Sequence, residues 1–162
     1  METLRRLYGL VDIYLPDFKY YSSALAQRYS GAADYPTVAF EALAEMLRQQ
    51  PTPIFDGEEM MMMRGVVVRH LVLPGARSDS ISLLNALAER FGSKAFLLSL
   101  MSQYTPDFAF DCEDPALHRR LTTFEYESVL KKAEALGFEG CIQGRSSASS
   151  SYAPDFYEKS FL

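Results

Sequence analysis

Cysteine is scarce. Cys112 and Cys141 are the two in 162 residues, too few for a disulfide framework. Neither a four-cysteine zinc site nor a three-cysteine iron-sulfur site can be built from them. Histidine is equally sparse, and the spacings of His70 and His118 to the two cysteines match no structural zinc pattern. No metal site is therefore expected from this chain alone. A basic excess is missing too. Sixteen Lys and Arg against 21 Asp and Glu give a net charge of -5, the opposite of what phosphate-backbone binding demands, so nucleic acid is not an expected partner. The longest apolar stretches, such as Ala95–Met101, fall far short of the roughly 20 residues of a membrane helix. No apolar signal-peptide run follows the charged Met1–Arg6, which makes the cytoplasm the expected compartment.

What is present suits one globular domain over residues 1–162, at 48% hydrophobic and 23% charged. Glu2–Tyr8 reads as the tail of a helix stopped by Gly9, so the chain is expected to begin in mid-architecture. Leu10–Asp17 reads as a strand with Val11, Ile13 and Leu15 on one face. Ser22 or Ser23 caps a short helix to Tyr29, ended by Gly31. Pro36 opens a helix whose Val38, Ala39, Ala42, Leu43, Met46 and Leu47 form an apolar face up to Gln50. Asp56-Gly57 marks a turn between Pro53–Phe55 and Met60–Met63, two arms of a hairpin packed on the core.

Gly65–Leu73 is apolar on both faces, like a strand covered by helices. Ser78 is positioned to cap a helix to Phe91, with Ile81, Leu84, Ala88 and Phe91 inward and Gly92 as stop. Ala95–Met101 is the next strand, and a loop runs from Tyr104 to Arg120. Thr122 and Glu125 form a capping box ahead of the stripe Tyr126, Val129, Leu130, Ala133, Leu136, which Gly137 ends. Gly140–Gln143 reads as a last strand and Arg145–Ser151 as a loose tail. Strand and helix alternate, which predicts an α/β fold of about four parallel strands with covering helices. A closed eight-stranded barrel takes about 250 residues, and a doubly wound sheet carries a Gly-rich loop that is missing here. An open partial barrel remains, with functional groups at the C-terminal strand ends.

Asp17 and Lys19, two residues apart at such an end, share a face. They serve either a polar substrate or a structural ion pair. Arg69 shares a strand face with Val67 and Leu71, where an unpaired guanidinium costs several kcal/mol. It calls for an anionic ligand or a partner such as Asp17. His70 points the other way, as a hydrogen-bonded core histidine. Gln103, Tyr104 and Gln143 follow strands and offer neutral hydrogen bonds. Gly75, Ala76 and Arg77 precede a helix N-terminus, which favours an anion. Asp107, Asp111, Glu113 and Asp114 read as solvated surface without a calcium-loop pattern.

Five segments in order then resemble a known family: DIYLPDFKYY, GVVVRHLVLPG, SLMSQYTP, TTFEYESV and the closing SSASSSYAPDF. Together they are similar to the C-terminal half of radical S-adenosylmethionine proteins, in the subgroup described as similar to the pyruvate formate-lyase activating enzyme. The resemblance spans Val11 to Phe156. It implies an incomplete barrel whose N-terminal half binds a four-iron four-sulfur (4Fe-4S) cluster through Cys-x-x-x-Cys-x-x-Cys. The cluster anchors S-adenosylmethionine and reduces it to a 5′-deoxyadenosyl radical. By resemblance, Asp17 and Lys19 match an Asp-x-Lys beside the cofactor, Arg69 a barrel arginine facing it, and Gln103 or Tyr104 a polar contact to the nucleoside.

This sequence departs from the family in lacking Cys-x-x-x-Cys-x-x-Cys, with Cys112 and Cys141 set 29 residues apart. The expectation is a C-terminal portion, inactive alone, whose partner is a cluster-bearing N-terminal half or a protein substrate. Two other readings stand beside it. One is a non-catalytic module that forms a homo-oligomer through the exposed edge of LVDIYLP. The other is an ordinary anion-binding α/β enzyme using Asp17, Lys19 and Arg69.

Overall fold

The computed structural model describes residues 1–57, 61–108 and 112–140. In chain order the elements are α1 (Glu2–Arg6), β1 (Ile13–Tyr14), α2 (Ser23–Ser30), α3 (Tyr35–Gln49), β2 (Ile54–Phe55), β3 (Met62–Leu71), α4 (Arg77–Phe91), β4 (Leu97–Met101) and α5 (Thr123–Ala135). Two short 3-10 turns, Pro106–Phe108 and Pro115–His118, interrupt the loop before α5. The fold is α/β, as the alternating pattern predicts.

The β-branched run of β3 makes it the central strand. β1 pairs with its first part in parallel, Ile13 opposite Gly65 and Tyr14 opposite Val66. β4 pairs with its second part in parallel, from Val67–Leu97 to Leu71–Met101. Pro16 cuts β1 short, since proline has no N–H for a ladder. Pairing resumes at a single Asp17–Arg69 bridge, where Arg69 N donates to Pro16 O at 2.9 Å and Phe18 N to Arg69 O at 2.8 Å. β2, just before Asp56-Gly57, lies antiparallel to the start of β3.

The sheet is therefore mixed: among the described residues it has three parallel strands and one antiparallel, not four parallel ones. Most of the predicted strand Gly140–Gln143 lies outside the described residues, as do Cys141, Gln143, Met60, Asp111 and the tail Arg145–Ser151. Leu98 N donates to Glu139 O at 2.8 Å, so the chain leaving α5 returns to β4. At Gly140 a Cβ would stand 2.0 Å from Leu98 O, which only glycine avoids.

Period-two alternation divides the sheet into unlike faces. Val66, Val68, His70 and Val72 of the β3 segment, with Phe96, Leu98 and Leu100 beside them, are buried beneath the helices. They join Phe18, Phe40, Leu43, Leu83 and Leu87 on one side of the core, and Leu84, Tyr126, Val129 and Ala133 on the other. The opposite face carries Val67, Leu71, Leu97, Ser99 and Met101 half-buried, and Leu15, Met63 and Arg69 exposed. β3 is thus covered on one face, not both.

Helix ends follow the local chemistry, with the start of α4 as an exception. Ser22 caps α2 and Gly31 ends it in the left-handed conformation. The capping box of α5 is complete. α4, however, starts at Arg77 after Ala76, which places Ser78 inside its first turn. Its inward face is Ser80, Leu83, Leu84 and Leu87. On α3 the buried residues include Phe40 and Glu45, while Val38 is exposed. The hairpin is present, but Ile54, Phe55, Met61 and Met63 stand out in solvent instead of packing on the core.

His70 is the core histidine that its strand position predicts, 1% exposed. Nδ1 lies 2.7 Å from Phe18 O and Nε2 lies 2.8 Å from Ser80 Oγ. A carbonyl only accepts, so Nδ1 carries the proton and Nε2 accepts from the serine. Burial holds the imidazole pKa below its ordinary value. An unfolded histidine takes up its proton near pH 6.5, before the folded one, so stability is full above that pH and declines as pH falls below it. Between pH 7.5 and 5.5 the denaturation midpoint is expected to fall for the natural protein and to stay flatter in His70→Gln.

Candidate functional site

At the C-terminal ends of β1, β3 and β4 a cleft of about 320 Å³ opens, lined by Asp17, Lys19, Tyr20, Arg69, Leu71, Leu73, Met101 and Tyr104. That volume lies within the range of small-molecule sites. Four of the five residues singled out from the sequence meet here. Gln103 is absent from the lining, and its amide turns back toward Met101 Sδ at 3.9 Å. Of the two candidates after β4, Tyr104 is the one at the cleft. Its hydroxyl donates to Leu117 O at 2.7 Å, so the phenol proton is already engaged within the protein.

Arg69 Nη2 lies 2.7 Å from Asp17 Oδ1, with both side chains more than 40% exposed. Two expectations meet in this contact. The carboxylate is the guanidinium's partner, and the guanidinium is not buried, because its strand face is the open one. An exposed pair of this kind is worth under about 1 kcal/mol, so exchanging Asp17 for a ligand anion costs little. Lys19 has no carboxylate partner among the described residues. The rim thus carries two cationic groups against one carboxylate.

The backbone that presents these charges is held tightly. Phe18 is 2% exposed and packs edge-on against Phe40 at a centroid distance of 4.8 Å. The amide and carbonyl of Phe18 are bonded to Arg69 O and His70. On either side of it, Tyr35 Oη donates to Asp17 O at 2.9 Å and accepts from Lys19 N at 3.0 Å. Farther on, Asp79 in the first turn of α4 accepts from Tyr21 N at 2.9 Å and from Ser22 N at 2.8 Å. Tyr35 and Asp79 carry no motif, and nothing in the sequence links them to Asp17 and Lys19. Their signal is purely tertiary.

The loop before α4 was expected to attract an anion, and it has one from within the protein. Gly75 N donates to Glu125 Oε1 at 2.8 Å. Arg77 stacks over Phe124 at 5.1 Å. Asp114 belongs to an ordered cluster, accepting from Tyr29 Oη at 2.5 Å and pairing with Arg28 at 3.1 Å. Among the described residues no three His, Cys, Asp or Glu side chains gather as a metal site.

No helix in the described residues is long and apolar enough to cross a membrane. No family model matches the sequence, and no solved structure matches it. Over 134 residues, 83% of this chain, it is 28% identical to the uncharacterized protein MJ0674 of Methanocaldococcus jannaschii. The match covers 35% of that protein, so the chain spans about a third of the length of its relative.

Proposed function

We propose that this chain is the C-terminal part of a radical S-adenosylmethionine protein of the activating-enzyme type, an open partial barrel that holds the amino-acid end of the cofactor. The observation that carries the reading is the convergence of Asp17, Lys19 and Arg69 on one cleft at the strand ends, on the sheet face that the helices leave uncovered. Lys19 and Arg69 suit a carboxylate, and Asp17 suits an ammonium group. The chain's two cysteines do not fit a 4Fe-4S cluster, which a separate stretch bearing the three-cysteine loop has to supply. When bound, that cluster contributes the electron for cofactor cleavage. The residues of this chain bind and orient.

The test is a calorimetric titration of S-adenosylmethionine into the protein, alone and assembled with a cluster-bearing chain. Binding of S-adenosylmethionine tight enough for calorimetry is expected only in the assembly, although the cationic rim alone is expected to hold a small anion weakly. Arg69→Ala is expected to weaken binding by about tenfold or more, the scale of one lost charge-assisted contact. Binding that ignores Arg69→Ala sinks the proposal. Tight binding by the isolated chain favours an ordinary anion-binding enzyme instead.

A second reading, a non-catalytic module that pairs with its own copy, is favoured by the exposed Ile54, Phe55, Met61 and Met63. The β1 edge offers little to such pairing. Gln50 Nε2 donates to Val11 O at 2.7 Å and Tyr35 covers Asp17 O, so side chains of the α3 segment cap the strand on both sides. A sharp monomer peak in size-exclusion chromatography at micromolar concentration removes this reading.

A further inference from the structure

We infer that Tyr35 is the positioning residue of the cleft, its single hydroxyl setting the spacing between Asp17 and Lys19. The inference rests on the reading of the cleft as an anion-binding site and goes beyond it by naming a residue that never touches the ligand. The hydroxyl bridges two peptide groups two residues apart, donating to Asp17 O and accepting from Lys19 N. Between them Phe18 is pinned to β3 through both its amide and its carbonyl. All four polar backbone groups from Asp17 O to Lys19 N are therefore bonded, two to the strand and two to one phenol on α3.

Geometry separates the hydroxyl from the ring. The ring stands edge-on to Phe18 at 6.4 Å and to Tyr20 at 5.6 Å, contacts that phenylalanine reproduces. Burial raises the Tyr35 pKa, and it outweighs the Lys19 amide bond that lowers it, with the carboxylate of Asp17 adding to the rise. The phenol therefore keeps the proton that it donates to Asp17 O. Without the hydroxyl the tripeptide keeps its attachment to β3 and loses the one to α3. Asp17 and Lys19 then sample wider directions, and an anion pays the ordering cost on binding.

The experiment compares the natural protein with Tyr35→Phe and Arg69→Ala, using inorganic phosphate as the probe of the cationic rim. Binding is followed by nitrogen-15 and proton NMR. Amide exchange and the thermal midpoint are measured on the same samples. In Tyr35→Phe, phosphate affinity is expected to fall about five- to tenfold, the equivalent of one well-placed hydrogen bond. The Lys19 amide loses protection, the Phe18 amide keeps it, and the thermal midpoint stays within about 4 °C, because the ring packing is intact. Phosphate binding weakened by Arg69→Ala but not by Tyr35→Phe overturns the positioning role alone. So does a Lys19 amide equally protected in both proteins. Phosphate binding that neither substitution changes, or none at all, overturns the reading of the cleft itself, and the inference with it.

Discussion

Phe18→Ala is expected to lower the unfolding free energy by about 4 kcal/mol, the range for truncating a buried aromatic side chain. Urea or guanidinium denaturation measures it. The ring is 2% exposed and lies against Phe40 and Tyr35, with Leu43, Val66, Val68 and Leu83 in the same part of the core. Its removal leaves a void that backbone bonded on both sides of it cannot close. Phe18→Leu keeps most of the volume and is expected to cost under about 1.5 kcal/mol. The position matters for function because Phe18 separates Asp17 from Lys19. Alanine here is expected to weaken ligand binding as well as stability. A loss under about 1.5 kcal/mol for Phe18→Ala would show that the ring is not the peg on which the cleft is built.

Glu125→Ala is expected to cost about 3 kcal/mol. Its carboxylate accepts both Nη atoms of Arg119 at 2.7 and 2.8 Å, Gly75 N at 2.8 Å, and Thr122 N and Oγ1 at 3.0 and 2.7 Å. The residue is 9% exposed, and its loss leaves an arginine and two backbone amides without their acceptor. It joins the start of α5 to the loop after β3 and to Arg119, two residues from the Leu117 carbonyl that accepts from Tyr104. Glu125→Gln keeps the shape but not the charge and is expected to cost about 2 kcal/mol, since charge-assisted bonds are about twice as strong as neutral ones. The Arg119 guanidinium first, with the amide donors behind it, holds the Glu125 carboxyl well below the usual carboxylate range. An unfolded glutamate protonates near pH 4.3, so this stabilisation is complete above that value and is lost as pH falls through the lower folded pKa. A denaturation series from pH 6 to pH 3 is expected to fall more steeply for the natural protein than for Glu125→Gln.

Much of the architecture could be read from local chemistry. Ser22, Gly31, Thr122, Glu125 and Gly137 are punctuation that acts within one turn, so their residue types report the structure directly. Strand centres were legible for the same reason, through the apolar run of β3 and β4. The errors arose where a neighbour decides. β1 looked like an eight-residue strand, but Pro16 and its partner β3 allow two residues and one bridge. Periodicity located α3 correctly, yet Val38 is exposed and Phe40 buried, because the apolar stripe is wider than the contact that α4 and β3 offer it. Four consecutive methionines suggested packing on the core, whereas the hairpin projects beyond it.

The candidate site divides along the same line. Strand alternation placed Asp17 and Lys19 on one face and Arg69 opposite His70, and all four follow it. The burial of Arg69 did not follow, since a sequence shows which residues share a face but not whether another layer covers it. By itself, then, the sequence determined the α/β class, the helix ends apart from the start of α4, the facing of the strand residues and the lack of cluster ligands in this chain. These depend on dihedral preferences and on residue type. Only the tertiary structure decided that Arg69 pairs with Asp17, that Tyr104 and not Gln103 reaches the cleft, and that Tyr35, His70 and Asp79 hold the segment carrying the charges. Those contacts join residues from two to 58 positions apart, and hydrogen bonds that need matched atoms from separate elements leave no trace in the local pattern of any one of them.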